Sequence, residues 1–127
     1  MTSAQQLVDA ALAEVCTLSV AQAQALLGQR DVQFVDIREG GELRSEGRIP
    51  GAFHAPRGLL EFWVDPQSPW HQSEIVPGAR LVLYCAAGLR SALAVKALQD
   101  MGVARVCHLG GGFAAWKAAG APVLAPP

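Results

Sequence analysis

Cys85 is the residue in this chain best placed to do chemistry. It closes the apolar run Leu81–Tyr84 and opens the stretch Cys85-Ala86-Ala87-Gly88-Leu89-Arg90-Ser91, after which a helical pattern begins. A loop that leads into a helix N-terminus gathers unpaired backbone N–H groups around one point. Ala86, Ala87 and Gly88 are small enough for the main chain to curl tightly, and Gly88 accepts backbone angles that a β-carbon resists. A thiol held there meets several donors, the positive end of a helix dipole and the fixed charge of Arg90. Free cysteine titrates at about 8.5, and thiols in such settings fall to roughly 3.5–7.5. The pattern predicts a nucleophilic Cys85, with Ala86, Ala87, Gly88, Leu89, Arg90 and Ser91 as its anion-binding loop.

The other two cysteines, Cys16 and Cys107, read differently. Three cysteines are an odd number, no C-x-x-C pair occurs, and the chain is long enough to build a core without cross-links. The expectation is three free thiols, with Cys107 buried inside the run RVCHL and Cys16 at a join between elements. His54, His71 and His108 lack helix-spaced ligand partners, and Cys107 and His108 point to opposite faces if they lie in a strand. No metal site and no cofactor are predicted. A Cys–His pair of the cysteine-protease kind stays open, and is unnecessary if the loop itself activates the thiol.

The elements that must position Cys85 follow from periodicity. Val32–Arg38 (VQFVDIR), Leu81–Cys85 (LVLYC) and Arg105–Leu109 (RVCHL) are short branched and aromatic runs typical of buried strands. Helical spacing appears over Ser3–Glu14, again after Ser19 with Gln22 completing a capping box, and strongly over Ser91–Gly102. In the last of these, Leu93, Ala94, Ala97, Leu98 and Met101 form the expected buried face. A short helix ends at Gly120. Alternating strands and helices imply a parallel sheet covered on both faces, whose reactive crevice lies beyond the carboxyl ends of the strands. Asp36 and Arg38 end one strand and Cys85 another, so two strand ends deliver chemistry to the same edge.

Composition narrows the partners. The 127 residues carry a formal net charge of −1 with acids and bases intermingled, which argues against binding to nucleic acid or a membrane surface. No apolar run reaches the roughly 18 residues of a membrane span. The first residues have neither a basic start nor a continuous apolar core, so a cytoplasmic protein is expected.

Four segments taken together resemble the single-domain rhodaneses, a sulfurtransferase family. They are VDIR at Val35–Arg38, GRIPGA at Gly47–Ala52, CAAGLRS at Cys85–Ser91 and GGFAAWKAAGAPV at Gly111–Val123. The resemblance implies one domain over residues 1–127, with residues 1–16 a helical extension and 57–78 an expanded loop region. It implies an α/β fold with an open five-stranded parallel sheet and helices on both faces. It also implies a persulfide on Cys85, formed from a thiosulfate- or persulfide-type donor and passed to cyanide or a thiol, including a protein thiol. Asp36 and Arg38 match the family's D-x-R: Asp36 is expected to brace the loop by pairing with Arg90, and Arg38 to face the anionic donor. Ala86 and Ala87 are neutral where thiosulfate-type members often carry a basic residue, which makes a persulfide as good a donor as thiosulfate.

Two other classes compete. Cysteine-dependent phosphatases and arsenate reductases curl a C-x5-R loop around an anion, whereas Cys85 and Arg90 enclose one residue fewer. A non-enzymatic sulfur carrier or redox sensor would instead oxidise Cys85, in the sensor by a disulfide to Cys107 or Cys16.

Overall fold

Val32–Asp36 (β2), Arg80–Tyr84 (β4) and Val106–Leu109 (β5) bury side chains on both faces, as strands covered by helices on each side must. In the computed structural model, which describes residues 1–76 and 78–127, they pair in parallel and form the centre of a five-stranded sheet. Cys16–Leu18 (β1) and Phe53–His54 (β3) are short edge strands, giving the order β1-β5-β4-β2-β3. The five parallel strands are those expected, and both edge strands are too short to stand out by periodicity.

The helices are Ala4–Leu12 (α1), Val20–Leu26 (α2), Gly40–Glu46 (α3), Leu60–Val64 (α4), Leu89–Asp100 (α5) and Gly112–Ala118 (α6). Ser3 with Gln6, and Ser19 with Gln22, form reciprocal capping boxes that satisfy the orphan donors opening α1 and α2. The strand period of two divides the core. Val35, Leu81 and Leu83 face one layer with Leu60 and Leu98, while Phe34, Val82 and Tyr84 face the other with Phe113 and Trp116. Helix α1 packs Val8 and Ala11 against Ala92, so α5 is covered on two sides. Its buried face is accordingly Ala92, Ala94, Val95 and Leu98, while Met101 is 46 % exposed. The expected face was rotated because the second layer of contact was not visible along the chain.

The region expected to be an expanded loop, 57–78, begins with a 3₁₀ turn at Arg57–Leu59 that runs into α4. Trp63 packs on Phe53 of the β3 edge, whereas Trp70 meets the exposed ring of Phe62 edge-on. Of residues 57–78, position 77 lies outside the described residues.

Cys16 and Cys107 are joined in a disulfide, contrary to the expected free thiols. They are 91 positions apart in sequence, yet parallel pairing of β1 with β5 sets them directly opposite, with Cα atoms 4.6 Å apart. That distance lies within disulfide reach. Only the register could reveal it. Cys85 is the free cysteine.

Candidate active site

Strand β4 ends at Tyr84, and α5 begins at Leu89, so the four intervening residues must reverse the chain within one small loop. Gly88 makes this turn in the left-handed region, with φ of 92°, and precedes the first helical residue. Its N–H donates to Cys85 Sγ at 3.2 Å, and the Ser91 N–H donates to the same sulfur at 3.4 Å. Of the loop residues expected from sequence, Gly88 and Ser91 thus turn their main-chain donors inward at the sulfur. The Ser91 hydroxyl lies 3.5 Å from it. Cys85 is 1 % exposed, so the thiol sits beneath its loop rather than on it.

A second turn holds the first. Gly111 and Gly112 open α6 so close to the Cys85 loop that Phe113 N–H donates to Cys85 O at 2.8 Å and Ala114 N–H to Ala86 O at 3.0 Å. A Cβ at Gly112 would stand 2.6 Å from the Cys85 and Ala86 carbonyl oxygens. The loop thus hangs between two helix N-termini, α5 through its own sequence and α6 through this contact. The paired glycines open the segment GGFAAWKAAGAPV, and their close approach to position 85 depends on the fold.

Asp36 and Arg38 lie beneath the same loop but in another arrangement than expected. Arg38 folds back onto Asp36. Its Nε and Nη2 donate to Asp36 Oδ1 and Oδ2 at 3.0 and 2.8 Å, both residues are 1 % exposed, and Nη2 also donates to Gly47 O. The Arg38 guanidinium stacks 4.4 Å from the Phe113 ring centroid. Burial opposes its charge, and the hydrogen bond and charge of Asp36 outweigh that, raising the Arg38 pKa. Asp36 also accepts from the Tyr84 hydroxyl at 2.8 Å. Burial first, then the Asp36 charge, pushes the Tyr84 phenol up. Asp36 consequently braces Tyr84, the residue before Cys85, and not Arg90.

Arg90 turns outward to Glu42 of α3, forming two hydrogen bonds of 2.8 and 2.9 Å. That bidentate contact, chief among the causes, holds the Glu42 carboxyl down at about 2. Glu42 was not singled out from the sequence, because an acid in a glycine-punctuated loop carries no signal of its partner. A cleft of about 640 Å³ adjoins the loop at Ala86 and is lined by Arg38, Glu42, Phe113 and Lys117 among others. Cys85 itself does not line it. Among the described residues no three His, Cys, Asp or Glu side chains cluster to hold a metal, and no helix is long and apolar enough to cross a membrane.

The model of the Rhodanese-like domain matches residues 19–119. The chain belongs to the rhodanese-like family. A sulfurtransferase of Allochromatium vinosum is 38 % identical over 103 residues, spanning 81 % of this chain and 88 % of that one. The thiosulfate sulfurtransferase GlpE of Shewanella oneidensis is 34 % identical over 107 residues, spanning 82 % and 94 %. Among solved structures, a Rhodopseudomonas palustris protein of unknown function, described as a possible tyrosine phosphatase, is 46 % identical. It covers 98 % of this chain and 96 % of its own, with a TM-score of 0.93. The polysulfide-sulfur transferase homodimer of Wolinella succinogenes is 30 % identical, covering 92 % of this chain and 83 % of its own, with a TM-score of 0.70. At family level this rhodanese-like chain is of the sulfurtransferase type.

Proposed function

We propose that the protein moves a sulfane sulfur through a persulfide on Cys85, taking it from a thiosulfate- or persulfide-type donor and passing it to a thiol or cyanide. The observation that carries this reading is the pair of N–H donors, Gly88 and Ser91, aimed at Sγ. Donors fixed before the reaction stabilise negative charge on sulfur without reorganising. The Cys85 thiolate attacks the outer sulfur of the donor, a new S–S bond forms, and the old one breaks with sulfite or a thiolate leaving. The outer sulfur of Cys85–S–S⁻ remains anionic beneath the loop. An incoming thiolate or cyanide then bonds to that sulfur, and Cys85 departs as thiolate, closing a two-step cycle.

Within this reading residues 1–127 act as one domain, with 57–78 an expansion beside β3 and α1 an added helical segment; the expected extension 1–16 is helical only over Ala4–Leu12, and Cys16 belongs to β1. The buried sulfur requires the loop to yield before a donor can reach it. The cleft beside Ala86, with Lys117 and Glu42 on its otherwise largely apolar walls, offers the acceptor an approach to the loop. Neutral Ala86 and Ala87 place no charge next to the sulfur to select thiosulfate over a persulfide.

The phosphatase reading draws on the description of the Rhodopseudomonas relative. A phosphate bound in this loop would need Arg90, whose guanidinium is already occupied by both oxygens of Glu42. The carboxylate would also repel the phosphate. The disulfide likewise occupies both cysteines with which a sensor at Cys85 was expected to pair. Intact-mass measurement after incubation with thiosulfate, and separately with a small persulfide, tests the proposal. The wild type should gain one sulfur atom that a thiol acceptor removes, and Cys85→Ala should gain none. Cys85-dependent hydrolysis of an aryl phosphate without any sulfur uptake would reverse the conclusion.

A further inference from the structure

The buried thiol lies at one end of a continuous chain of hydrogen-bonding groups that reaches the surface. Cys85 Sγ is 3.5 Å from Ser91 Oγ, and Ser91 Oγ is 2.9 Å from His108 Nδ1. His108 Nε2 is in turn 2.9 Å from Thr17 Oγ1. Cys85, Ser91 and His108 are each at most 1 % exposed, whereas Thr17 lies exposed on the β1 edge. Three separate elements, β1, α5 and β5, contribute Thr17, Ser91 and His108 in turn, and both contacts of His108 join different elements. The Cys16–Cys107 pair sits one register step earlier and pins Thr17 against His108.

We infer that Ser91, His108 and Thr17 form a proton path by which the Cys85 thiol ionises beneath its closed loop, with His108 reversing its tautomer as the proton leaves. This rests on the reading of Cys85 as the thiol that takes up sulfur. In the thiol state Sγ–H donates to Ser91 Oγ, the Ser91 hydroxyl donates to His108 Nδ1, and His108 Nε2–H donates to Thr17 Oγ1. On ionisation the Sγ proton passes to Ser91, the Ser91 proton to Nδ1, the Nε2 proton to Thr17, and the Thr17 proton to water. The net change is one proton moved from sulfur to solvent. Every contact is then remade in the opposite sense, and the Ser91 hydroxyl now donates to the thiolate. The imidazole is neutral before and after.

A neutral relay suits this position. Burial holds the His108 pKa below its ordinary 6.5, and no charged group contributes to that shift. From α5 the side chain facing the imidazole is Ser91, and from β1 it is Thr17, both uncharged hydroxyls. The titratable groups around the other end of the path are Cys85 itself and Arg90 with its partner Glu42; Arg90 responds to the Cys85 charge. His108 is a positioning and relay residue, since it touches no substrate.

Nitrogen NMR of histidine-labelled wild-type protein, with no sulfur donor present, tests the path while pH is raised through the appearance of Cys85 thiolate absorbance. The His108 proton should reside on Nε2 with the thiol and on Nδ1 with the thiolate, both changes sharing one midpoint. Cys85→Ser should hold a single tautomer throughout. After an upward pH jump, thiolate absorbance in His108→Phe should appear at least tenfold more slowly than in wild type. A single His108 tautomer in wild type, or a His108 titration at a midpoint of its own, overturns the relay. Sulfur uptake by mass is scored separately, so a failed relay and a failed nucleophile leave different records.

Discussion

Gly112→Ala isolates the support that α6 gives to the Cys85 loop. Gly112 has φ of 63°, and a β-carbon there would stand 2.6 Å from Cys85 O, Ala86 O and Ala86 C. The left-handed backbone costs an L-residue about 1–2 kcal/mol. The clashing atoms are backbone, so the loop must retreat. That stretches the Phe113 N–H bond to Cys85 O and the Ala114 N–H bond to Ala86 O. Each such bond contributes about 0.5–1.5 kcal/mol. Together these give a loss of about 3 kcal/mol, which for 127 residues lowers the melting temperature by about 11 °C. Gly120→Ala is the matched control, since Gly120 has φ of 75° and nothing within 4 Å of the added carbon. It should lose only about 1–2 kcal/mol and take up sulfur normally. Thermal melts with intact-mass measurement of sulfur uptake compare the two. Equal melting temperatures together with equal uptake would refute the claim that α6 holds the loop in place.

The two arginine–carboxylate pairs should respond unequally to loss of the acid. Asp36→Ala strands the buried Arg38 charge and is expected to cost about 3–5 kcal/mol by denaturant titration. Glu42→Ala at the partly exposed Arg90 pair should cost under about 1 kcal/mol. Glu42 is depressed in the fold from 4.5 to about 2, so its stabilisation is complete above 4.5 and is lost as pH falls toward 2. In acid denaturation, Glu42→Gln should show a shallower decline across that window. His108, also depressed, adds a loss that begins as pH drops below 6.5, and His108→Phe should remove it. Thiol titration of the unfolded chain should count one free sulfhydryl before reduction and three after, and reduction should lower stability by about 2–4 kcal/mol.

The amide-capped position of Cys85 was legible because its cause is local. A strand that ends in cysteine, small residues that let the chain curl, and a helix start within six positions are all written consecutively. The fold class was legible for a similar reason, since alternating buried strands and amphipathic helices leave few topologies. The partner expected for Asp36 was wrong because it depended on distance. D-x-R at a strand end predicts two charged groups near the loop. It does not say that Arg38 folds back onto Asp36 while Arg90 reaches a carboxylate 48 positions away on α3.

By itself the sequence determined the sheet-and-helix alternation, the cysteine at the strand end and the amides that face it, all interactions between near neighbours on the chain. Tertiary structure decided what lies across from each strand: Cys16 opposite Cys107, Thr17 opposite His108, and Gly112 against Cys85. Parallel register brings together residues about ninety positions apart, and their pairing energy depends on a geometry that no spacing along the chain encodes.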